Sequence, residues 1–285
     1  MKARMHRFPV RLMCDVLGIH ASGFYAWLKQ PVSKREREDQ YLLSFIKQFW
    51  LESGAVYGYR KVYDDLQSAG EACGKNRVYR LMRTQGIQSQ RGYKRRAHYG
   101  GKPATVAPNL VDQQFDPERP NELWVTDITY IRTYEGWLYL GIVLDAFSRQ
   151  IVGWSMQQRI TTSLVMDALT MALWRRRPKE KVIVHSDQGV QYTSTEWRSY
   201  LKANYLEASM SRRGNCHDNA VAESFFQLLK RERIKRRIYR TRDEAKHDVF
   251  DYIELFYNPK RRHGYNGNLS PVEFEKNYFM KLESV

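Results

Sequence analysis

The sequence predicts an α/β protein, in which a mixed five-stranded sheet with flanking helices follows an all-helical N-terminal region. Three observations predict this fold class. Helical periodicity interrupted by glycines fills the first 88 residues, three strand patterns joined by tight turns begin near residue 123, and helices then alternate with short strands. A chain of 285 residues, of which 42% are hydrophobic, is also large enough to bury a sizeable core.

The N-terminal region is predicted to be a series of helices joined by short turns, at residues 9–17, 23–30, 35–52, 58–68 and 76–85. The first two and the last two of these helices each match the helix-turn-helix pattern. Basic residues on the second pair are predicted to contact DNA: Arg60, Lys61, Arg77 and Arg80. Two-helix hairpins are common and surface cations are usually only solvated, so a purely structural role is the alternative.

Residues 89–118 differ in composition, because basic residues are followed there by repeated proline and glycine. This composition is typical of an extended linker without a fixed fold. Arg95 and Arg96 lie in its basic part and are predicted to follow DNA phosphates.

Strand patterns dominate the next part of the chain. Residues 123–133 alternate in polarity, and tight turns lead into strands at residues 137–147 and 150–157. Two short strands follow at residues 181–184 and 207–210. One helix is predicted before each of these two short strands, at residues 164–176 and 194–203, and a third follows them at residues 219–234. This order places the first and fourth strands side by side in a mixed sheet.

Three acidic residues in this part of the chain stand out by position. Asp127 lies mid-strand among apolar neighbours, Asp187 follows the fourth strand, and Glu223 lies in the first turns of the last helix. An ionised carboxylate is costly inside a strand unless a cation binds it, and Mg²⁺ prefers oxygen ligands. Most carboxylates are simply exposed, however, so this pattern alone leaves both a metal site and ordinary surface acids open.

Three motifs containing these acids occur in order: Trp124-Val125-Thr126-Asp127-Ile128-Thr129-Tyr130, His185-Ser186-Asp187-Gln188-Gly189, and Asp218-Asn219-Ala220 followed by Glu223-Ser224-Phe225. Thirty-five residues separate Asp187 from Glu223. Together the motifs resemble the integrase core of insertion-sequence transposases, whose Asp-Asp-35-Glu pattern is shared with retroviral integrases. The resemblance covers essentially the whole chain, including the tail motif Arg261-Arg262-His263, and is greatest to the second-reading-frame product of two-frame insertion sequences.

The resemblance implies a ribonuclease-H-like fold and a DNA transposase that depends on a divalent metal. Asp127 would bind both of two Mg²⁺ ions, Asp187 would complete one site and Glu223 the other, with Mn²⁺ able to substitute. Water would cleave at the end of the element, and the freed 3′-OH would then attack a second phosphodiester. His185 and Asn219 are motif residues that would support the ligands, and His185 is equally well explained as a satisfied buried histidine.

The predicted organisation has four parts. Residues 1–88 form a helical, helix-turn-helix-like DNA-binding region, and residues 89–118 form the basic linker. Residues 119–240 form the catalytic core, and residues 241–285 form a helical tail.

The charge distribution favours a polyanionic partner. The net charge of +16 divides into +12 for residues 1–110, zero for residues 111–230 and +4 for residues 231–285. Residues 230–242 have Lys or Arg at eight of thirteen positions and are predicted to continue the last helix along a duplex. Lys230 falls two turns after Glu223 on the same helix face, where it would hold a phosphate or remain a solvated charge. Further DNA contacts are predicted at Arg212, Arg213, Arg231, Arg236 and Arg237.

The predicted partners are double-stranded DNA, both element ends and target, and further copies of the same chain, at least as a dimer on DNA. A first-reading-frame protein is expected as a fusion or a partner. No apolar run approaches the ~20 residues of a membrane span, so no membrane partner is expected. Three widely spaced cysteines favour a reducing cytoplasm. The resemblance implies a bacterial protein that associates with the nucleoid. Two alternative functions remain: a DNA-binding accessory or regulatory protein with an inactive core, and a plain nuclease.

Overall fold

The computed structural model describes residues 1–29, 32–89, 107–212 and 219–284. The chain divides into two compact units, Met1–Ser89 and Gln90–Val285, and each is described by itself.

The first unit is helical throughout. Its helices are α1 (Val10–Leu17), α2 (Ala21–Lys29), α3 (Lys34–Glu52), α4 (Tyr59–Ser68) and α5 (Lys75–Thr84). The long helix α3 is capped at its N-terminus by Ser33, whose side-chain oxygen accepts a hydrogen bond from the Glu36 N–H at 3.1 Å. It packs against both α4 and α5 through buried side chains such as Ile46 and Val62. The predicted helical N-terminal region is thereby confirmed.

The second unit contains a five-stranded sheet, with β1 (Leu123–Thr133), β2 (Gly136–Asp145), β3 (Ile151–Gln157), β4 (Ile183–Ser186) and β5 (Glu207–Met210). The strand order is β3-β2-β1-β4-β5, with antiparallel pairing among β1, β2 and β3 and parallel pairing of β4 with β1 and β5. The predicted mixed sheet, with its first and fourth strands adjacent, is confirmed. Strand β4 begins two residues later than predicted and ends at Ser186, next to Asp187.

Helices cover both faces of this sheet: α6 (Thr162–Arg176), α7 (Thr195–Ala203), α8 (Ala220–Glu232), α9 (Arg242–Phe250) and α10 (Pro271–Glu283). One face packs on α6 and α7 in a core that includes Trp124, Leu169 and Trp197. Side chains alternate along β1, so Val125 and Ile131 point to the opposite side and are also buried. Helices α8 and α9 contact β1 there.

Helix α6 approaches β3 closely at Gly153. A Cβ atom built at this position would collide with the carbonyl oxygen of Ala168 and lie 2.8 Å from the backbone nitrogen of Ala172. The missing side chain therefore allows the helix backbone to lie directly on the strand.

Part of the predicted linker is packed rather than extended. Val111 and Phe115 are buried, and the Leu110 N–H donates to the Ser209 hydroxyl of β5 at 3.0 Å. Residues 107–118 therefore lie against the sheet, because their two apolar side chains outweigh the proline-rich composition. The remainder of the predicted linker, residues 90–106, lies outside the described residues.

The prediction that residues 230–242 continue the last helix is wrong. Helix α8 ends at Glu232, and a 3-10 turn follows at Ile234–Arg236. Tyr239 is fully buried, forms a β-bridge with Thr133, and its carbonyl oxygen accepts from the Tyr134 N–H at 3.0 Å. Burial of this tyrosine beside the β1–β2 turn outweighs the local helical preference.

The C-terminal residues pack tightly on the sheet and helix α6 of the same unit. Helix α9 continues into a π-helix, Asp251–Tyr257, and the Asn258 side chain forms hydrogen bonds with both the N–H and the carbonyl of Ile151 on the edge strand β3. Glu275 on α10 forms a buried ion pair with Arg176 of α6. The tail thus covers one edge of the sheet.

No helix within the described ranges combines the length and the apolar character needed to cross a bilayer.

Replacement of Gly153 by alanine is expected to lower the free energy of unfolding by about 1–3 kcal/mol or more, because the added methyl group must push α6 away from β3. Urea unfolding followed by circular dichroism measures this change. Gly264→Ala is the matched control, since a Cβ at that exposed position meets no atom within 4 Å. Equal stability of the two variants would contradict the close packing of α6 on β3.

Candidate active site

The register of β1 and β4 brings two of the predicted acids to the same level. Leu123 pairs with Ile183 and Val125 with His185 in parallel. Continued by two residues, the same register places Asp187 beside Asp127, one residue past the end of β4.

Asp127 is half-buried and lies in an electrostatic environment that opposes its ionisation. Partial removal from water, followed by the charge of Asp187, raises the pKa of Asp127 to about 8. The Glu223 carboxylate raises this pKa further, so both of the other predicted acids act on Asp127. The Ile128 N–H, which donates to Asp127 Oδ1 at 2.7 Å, and the Lys230 ammonium act in the opposite direction.

Asp187 is held at the start of the loop after β4. Its Oδ1 accepts a hydrogen bond from the Gly189 N–H at 2.9 Å, while burial raises the pKa of its carboxyl group. The same loop returns to β1 through Tyr192, whose buried hydroxyl lies 3.1 Å from the hydroxyl of Thr126. This hydrogen bond ties the loop that carries Asp187 to the strand that carries Asp127.

Helix α8 brings Glu223 and Lys230 to the same region. Glu223 is exposed on the first turn, whereas Phe225 and Leu229 are buried and fix the face that the helix presents. Lys230 is half-buried, and its Nζ lies 4.9 Å from the centre of the Tyr130 ring. Burial and the nearby Lys235 lower the pKa of Lys230, and Asp127 opposes this change.

The donor set suits a hard divalent cation, because it consists of carboxylate oxygens, and burial together with the charges of Asp187 and Glu223 raises the pKa of Asp127. In the part of the chain that the structure describes, no group of three or more His, Cys, Asp or Glu side chains is close enough to hold one ion. Asp187 and Glu223 therefore act on Asp127 without forming a closed cluster with it. Residues 213–218, which directly precede α8, are outside the described ranges.

The two predicted supporting residues occupy different positions. His185 is fully buried, and its Nδ1 lies 2.8 Å from the Ser209 hydroxyl on β5, which fits a satisfied buried histidine. Asn219 is buried at the N-terminal end of α8.

A buried charge cluster anchors the other end of α8. Two of the guanidinium nitrogens of Arg261, Nε and Nη2, donate to the Glu232 carboxylate at 2.9 and 2.6 Å, and the Tyr252 hydroxyl donates to it at 2.7 Å. Burial raises the pKa of Glu232, but the hydrogen bonds and charge of Arg261 outweigh it and hold that pKa below its ordinary value. The predicted tail motif thus joins the tail to the helix that carries Glu223.

Three family models match the chain. An integrase core domain matches residues 117–216, a second integrase core domain matches residues 223–279, and an HTH-like domain matches residues 36–96. The transposase InsF for insertion sequence IS3A of Escherichia coli K12 is 42% identical over 275 residues, which cover 94% of each chain. The chain belongs to the IS3 family of insertion-sequence transposases.

A second relative of this IS3-family chain is an uncharacterized 31 kDa protein of insertion element IS600 from Shigella sonnei. It is 40% identical, and the match covers 93% of this chain and 98% of the relative's chain.

Among solved structures, the catalytic core of HTLV-2 integrase in complex with magnesium is 14% identical, covering 55% of this chain and 98% of that chain with a TM-score of 0.42. The integrase-core assignment of this IS3-family chain rests on the family models and on the sheet described above.

The structure places the predicted DNA-contacting residues of the helical unit in two settings. Arg77 and Arg80 both form ion pairs with Asp39 of α3, at 2.6 and 2.8 Å, and thereby join α5 to α3. Arg60 is exposed beside the Tyr59 ring, and Lys61 lies over the Tyr57 ring at 4.8 Å. Of these two residues, Arg60 is exposed and Lys61 is half-buried.

The basic residues of the second unit are similarly divided. Arg212 pairs with Asp112 at 3.1 Å, and Arg237 pairs with Asp248 at 3.1 Å. Arg231 lies 3.4 Å from the buried Glu232, whereas Arg236 is in the 3-10 turn. Arg95, Arg96 and Arg213 lie outside the described residues.

Two exposed aromatic residues on the β1–β2 hairpin are candidates for function that the sequence patterns did not predict. Tyr130 and Trp137 remain 57% and 45% exposed, and their rings meet edge to face at 5.2 Å. Tyr130 belongs to the first motif, but Trp124 and Thr126 on the same face of β1 are buried, so the alternation alone does not predict its exposure.

Loss of the cation from the buried Glu232–Arg261 pair is expected to destabilise the second unit. Arg261→Met leaves an uncompensated buried carboxylate, so the free energy of unfolding is expected to fall by about 3–5 kcal/mol in urea titrations. The double variant Glu232→Leu/Arg261→Met is expected to recover most of this loss. Lys246→Met, which removes an exposed i,i+3 pair with Asp243, is the control and leaves the midpoint unchanged. A single variant as stable as this control would contradict the anchoring role.

Proposed function

We propose that this chain catalyses divalent-metal-dependent cleavage of DNA and transfer of the resulting 3′-OH strand, which moves an insertion sequence. The observation that carries this proposal is the position of Asp127, which the β1–β4 register sets level with Asp187 and on which the charges of Asp187, Glu223 and Lys230 all act. Buried carboxylates are normally paired with cations, whereas this group includes one whose pKa is raised to about 8. Such a group gains stability when a cation binds to it.

Asp127 and Asp187 would hold one Mg²⁺, and Asp127 and Glu223 a second, with Mn²⁺ able to replace them. Two such ions, when bound, activate the attacking oxygen and stabilise the leaving oxygen of a phosphodiester. The protein contributes the position of these ligands: the β1–β4 register sets Asp127 and Asp187, and α8 supplies Glu223.

Lys230 would hold the phosphate that is cut. Its ammonium lies near Asp127 and above the Tyr130 ring, so it supplies a positive charge at the edge of the carboxylate group. Water is the first nucleophile and frees a 3′-OH at the end of the element. This 3′-OH then attacks a second phosphodiester, and no covalent intermediate with the protein is needed.

Asp127→Asn is expected to reduce strand transfer by at least about 100-fold, because it removes a metal ligand and not merely a residue that supports one. The assay is joining of a labelled element-end duplex to a supercoiled plasmid in Mg²⁺ or Mn²⁺. Asp251→Asn, an exposed aspartate in the π-helix, is the control and should retain activity. Full activity of Asp127→Asn would disprove the role of Asp127 as a metal ligand. A native chain that binds DNA but joins no strands would favour the accessory or regulatory function. Cleavage without joining would instead favour a nuclease.

DNA contact by the helical unit is the second part of the proposal. Residues 1–88 would bind duplex DNA, residues 89–118 would connect them to the core at residues 119–240, and residues 241–285 would brace that core. The HTH-like match to residues 36–96 and the exposed Arg60 support this arrangement.

Binding to duplex DNA without element sequences is expected to weaken steeply with salt, by at least about 100-fold between about 50 and 200 mM, because phosphate contacts release counterions. Fluorescence anisotropy with a labelled random duplex measures the effect. An affinity independent of salt would show that the excess positive charge does not contact phosphates.

Three further features complete the proposal. Joining two ends requires at least two active sites, so the chain is proposed to act at least as a dimer on DNA. A first-reading-frame protein is proposed as its fusion or partner, and the bacterial nucleoid as its place of action.

A further inference from the structure

Two exposed aromatic rings form one surface at the end of the β1–β2 hairpin. Tyr130 of β1 and Trp137 of β2 lie edge to face, with ring centres 5.2 Å apart and planes at 87°. Both remain about half exposed, although tryptophan is usually among the more buried residues. We call these two residues the hairpin platform.

The backbone of the hairpin platform is held in place from a distant part of the chain. The Arg242 guanidinium donates from Nε to the Trp137 carbonyl at 3.1 Å, and the Arg242 N–H donates to Glu135 at 2.8 Å. Tyr239 pairs with Thr133 at the same turn. An aromatic surface fixed in this way loses little freedom when a ligand stacks on it.

Positive charge surrounds the platform. Lys230 Nζ lies 4.9 Å from the Tyr130 ring centre, Arg132 pairs across the hairpin with Trp137, and Lys235 is close enough to lower the pKa of Lys230. Cations interleaved with exposed aromatic rings form the surface that binds unpaired nucleic acid, because the rings stack on bases while the cations follow phosphates. This charge favours DNA over a protein partner.

The platform is joined to the carboxylates at one edge of the sheet. Tyr130 lies three residues beyond Asp127 on the same strand, about 10 Å away, and the alternation of side chains directs the two to opposite faces. Strand β4 pairs with β1 only at Leu123–Val125, so β1 is an edge strand beyond that point. Lys230 contacts the Tyr130 ring and acts electrostatically on Asp127, so it links the two faces at this edge. A DNA strand whose phosphate lies at Asp127 would place its neighbouring nucleotides beside the platform by passing over this edge at Lys230.

We propose that the hairpin platform stacks an unpaired DNA base next to the phosphate that reacts, so that this site takes a DNA end with unstacked nucleotides in preference to a closed duplex. The proposal rests on the proposed function and specifies its substrate. A base presents its face to Tyr130 or Trp137 only when it has left the helical stack, which costs least at a frayed or overhanging end.

The test is DNA binding, measured in EDTA so that no strand is cut. The full chain is titrated into a fluorescein-labelled duplex with an unpaired 3′ overhang, and into a blunt duplex of the same length. Tyr130→Ala and Trp137→Ala are expected to weaken binding of the overhang duplex by roughly 5- to 50-fold, and of the blunt duplex by less than about twofold. Trp137→Phe keeps a stacking face and is expected to stay within about threefold of the native chain. Trp174→Ala is the matched control, since this tryptophan on α6 is 70% exposed.

A second readout reports stacking directly. A 2-aminopurine in the overhang is expected to lose fluorescence on binding to the native chain and to the Trp174→Ala variant, and to keep it with Trp137→Ala. Equal weakening on both duplexes, or no weakening, would overturn the proposal. A changed oligomeric mass of the two alanine variants in light scattering, with DNA binding intact, would identify a protein interface instead and also overturn it. These experiments measure binding and not cleavage. A negative result would therefore overturn the stacking proposal alone, whereas strand transfer at Asp127 is tested separately by the Asp127→Asn assay.

Discussion

The parallel pairing of β1 with β4 is the constraint on which the candidate site depends. Only three residue pairs of this ladder are formed before β4 ends, yet they set Asp187 level with Asp127. A shift of one residue would turn Asp127 into the packed core and Trp124 out of it. The Trp124 side chain, fully buried between the sheet and its helices, therefore fixes the register that aligns the two acids.

That alignment has an energetic cost, and the surrounding structure offsets it. Two carboxylates at the same level of adjacent strands repel each other, and burial followed by this repulsion raises the pKa of Asp127. The Ile128 and Gly189 N–H groups, Lys230 and the Tyr192–Thr126 hydrogen bond hold the group together. At the far end of α8, the buried Arg261 fixes the helix so that its first turn stays near β1.

Much of this arrangement was predictable because it is local. The alternation of polarity predicts the limits of β1 correctly, the predicted limits of the short strand β5 are also correct, and the chain order of strands and helices predicts the sheet. The rest depends on contacts distant in sequence. Residues 230–242 are strongly basic, which suits a helix, but Tyr239 gains more from burial beside Thr133. The proximity of Tyr130 to Trp137 depends on hairpin register, and the Glu232–Arg261 pair joins residues from α8 and the tail, so neither is visible in a local pattern.

The buried and half-buried carboxylates of this unit separate into two kinds by how their charge is compensated. Glu232 forms a short ion pair with the buried Arg261, and Glu275 forms one with the half-buried Arg176. Asp145 accepts hydrogen bonds from the N–H groups of Asn121 and Phe147. These three acids hold elements together, and each is satisfied by groups of the protein itself. Asp127 differs in degree. Burial and the nearby Glu275 raise the pKa of Asp145 only to about 6, whereas the pKa of Asp127 rises to about 8 despite the Ile128 N–H and the Lys230 charge, because burial and two further acids act on it. The fold holds this carboxylate in place but does not neutralise its charge, so an external cation would compensate it. The same cation would supply the positive charge that a DNA phosphate requires when it approaches this edge of the sheet.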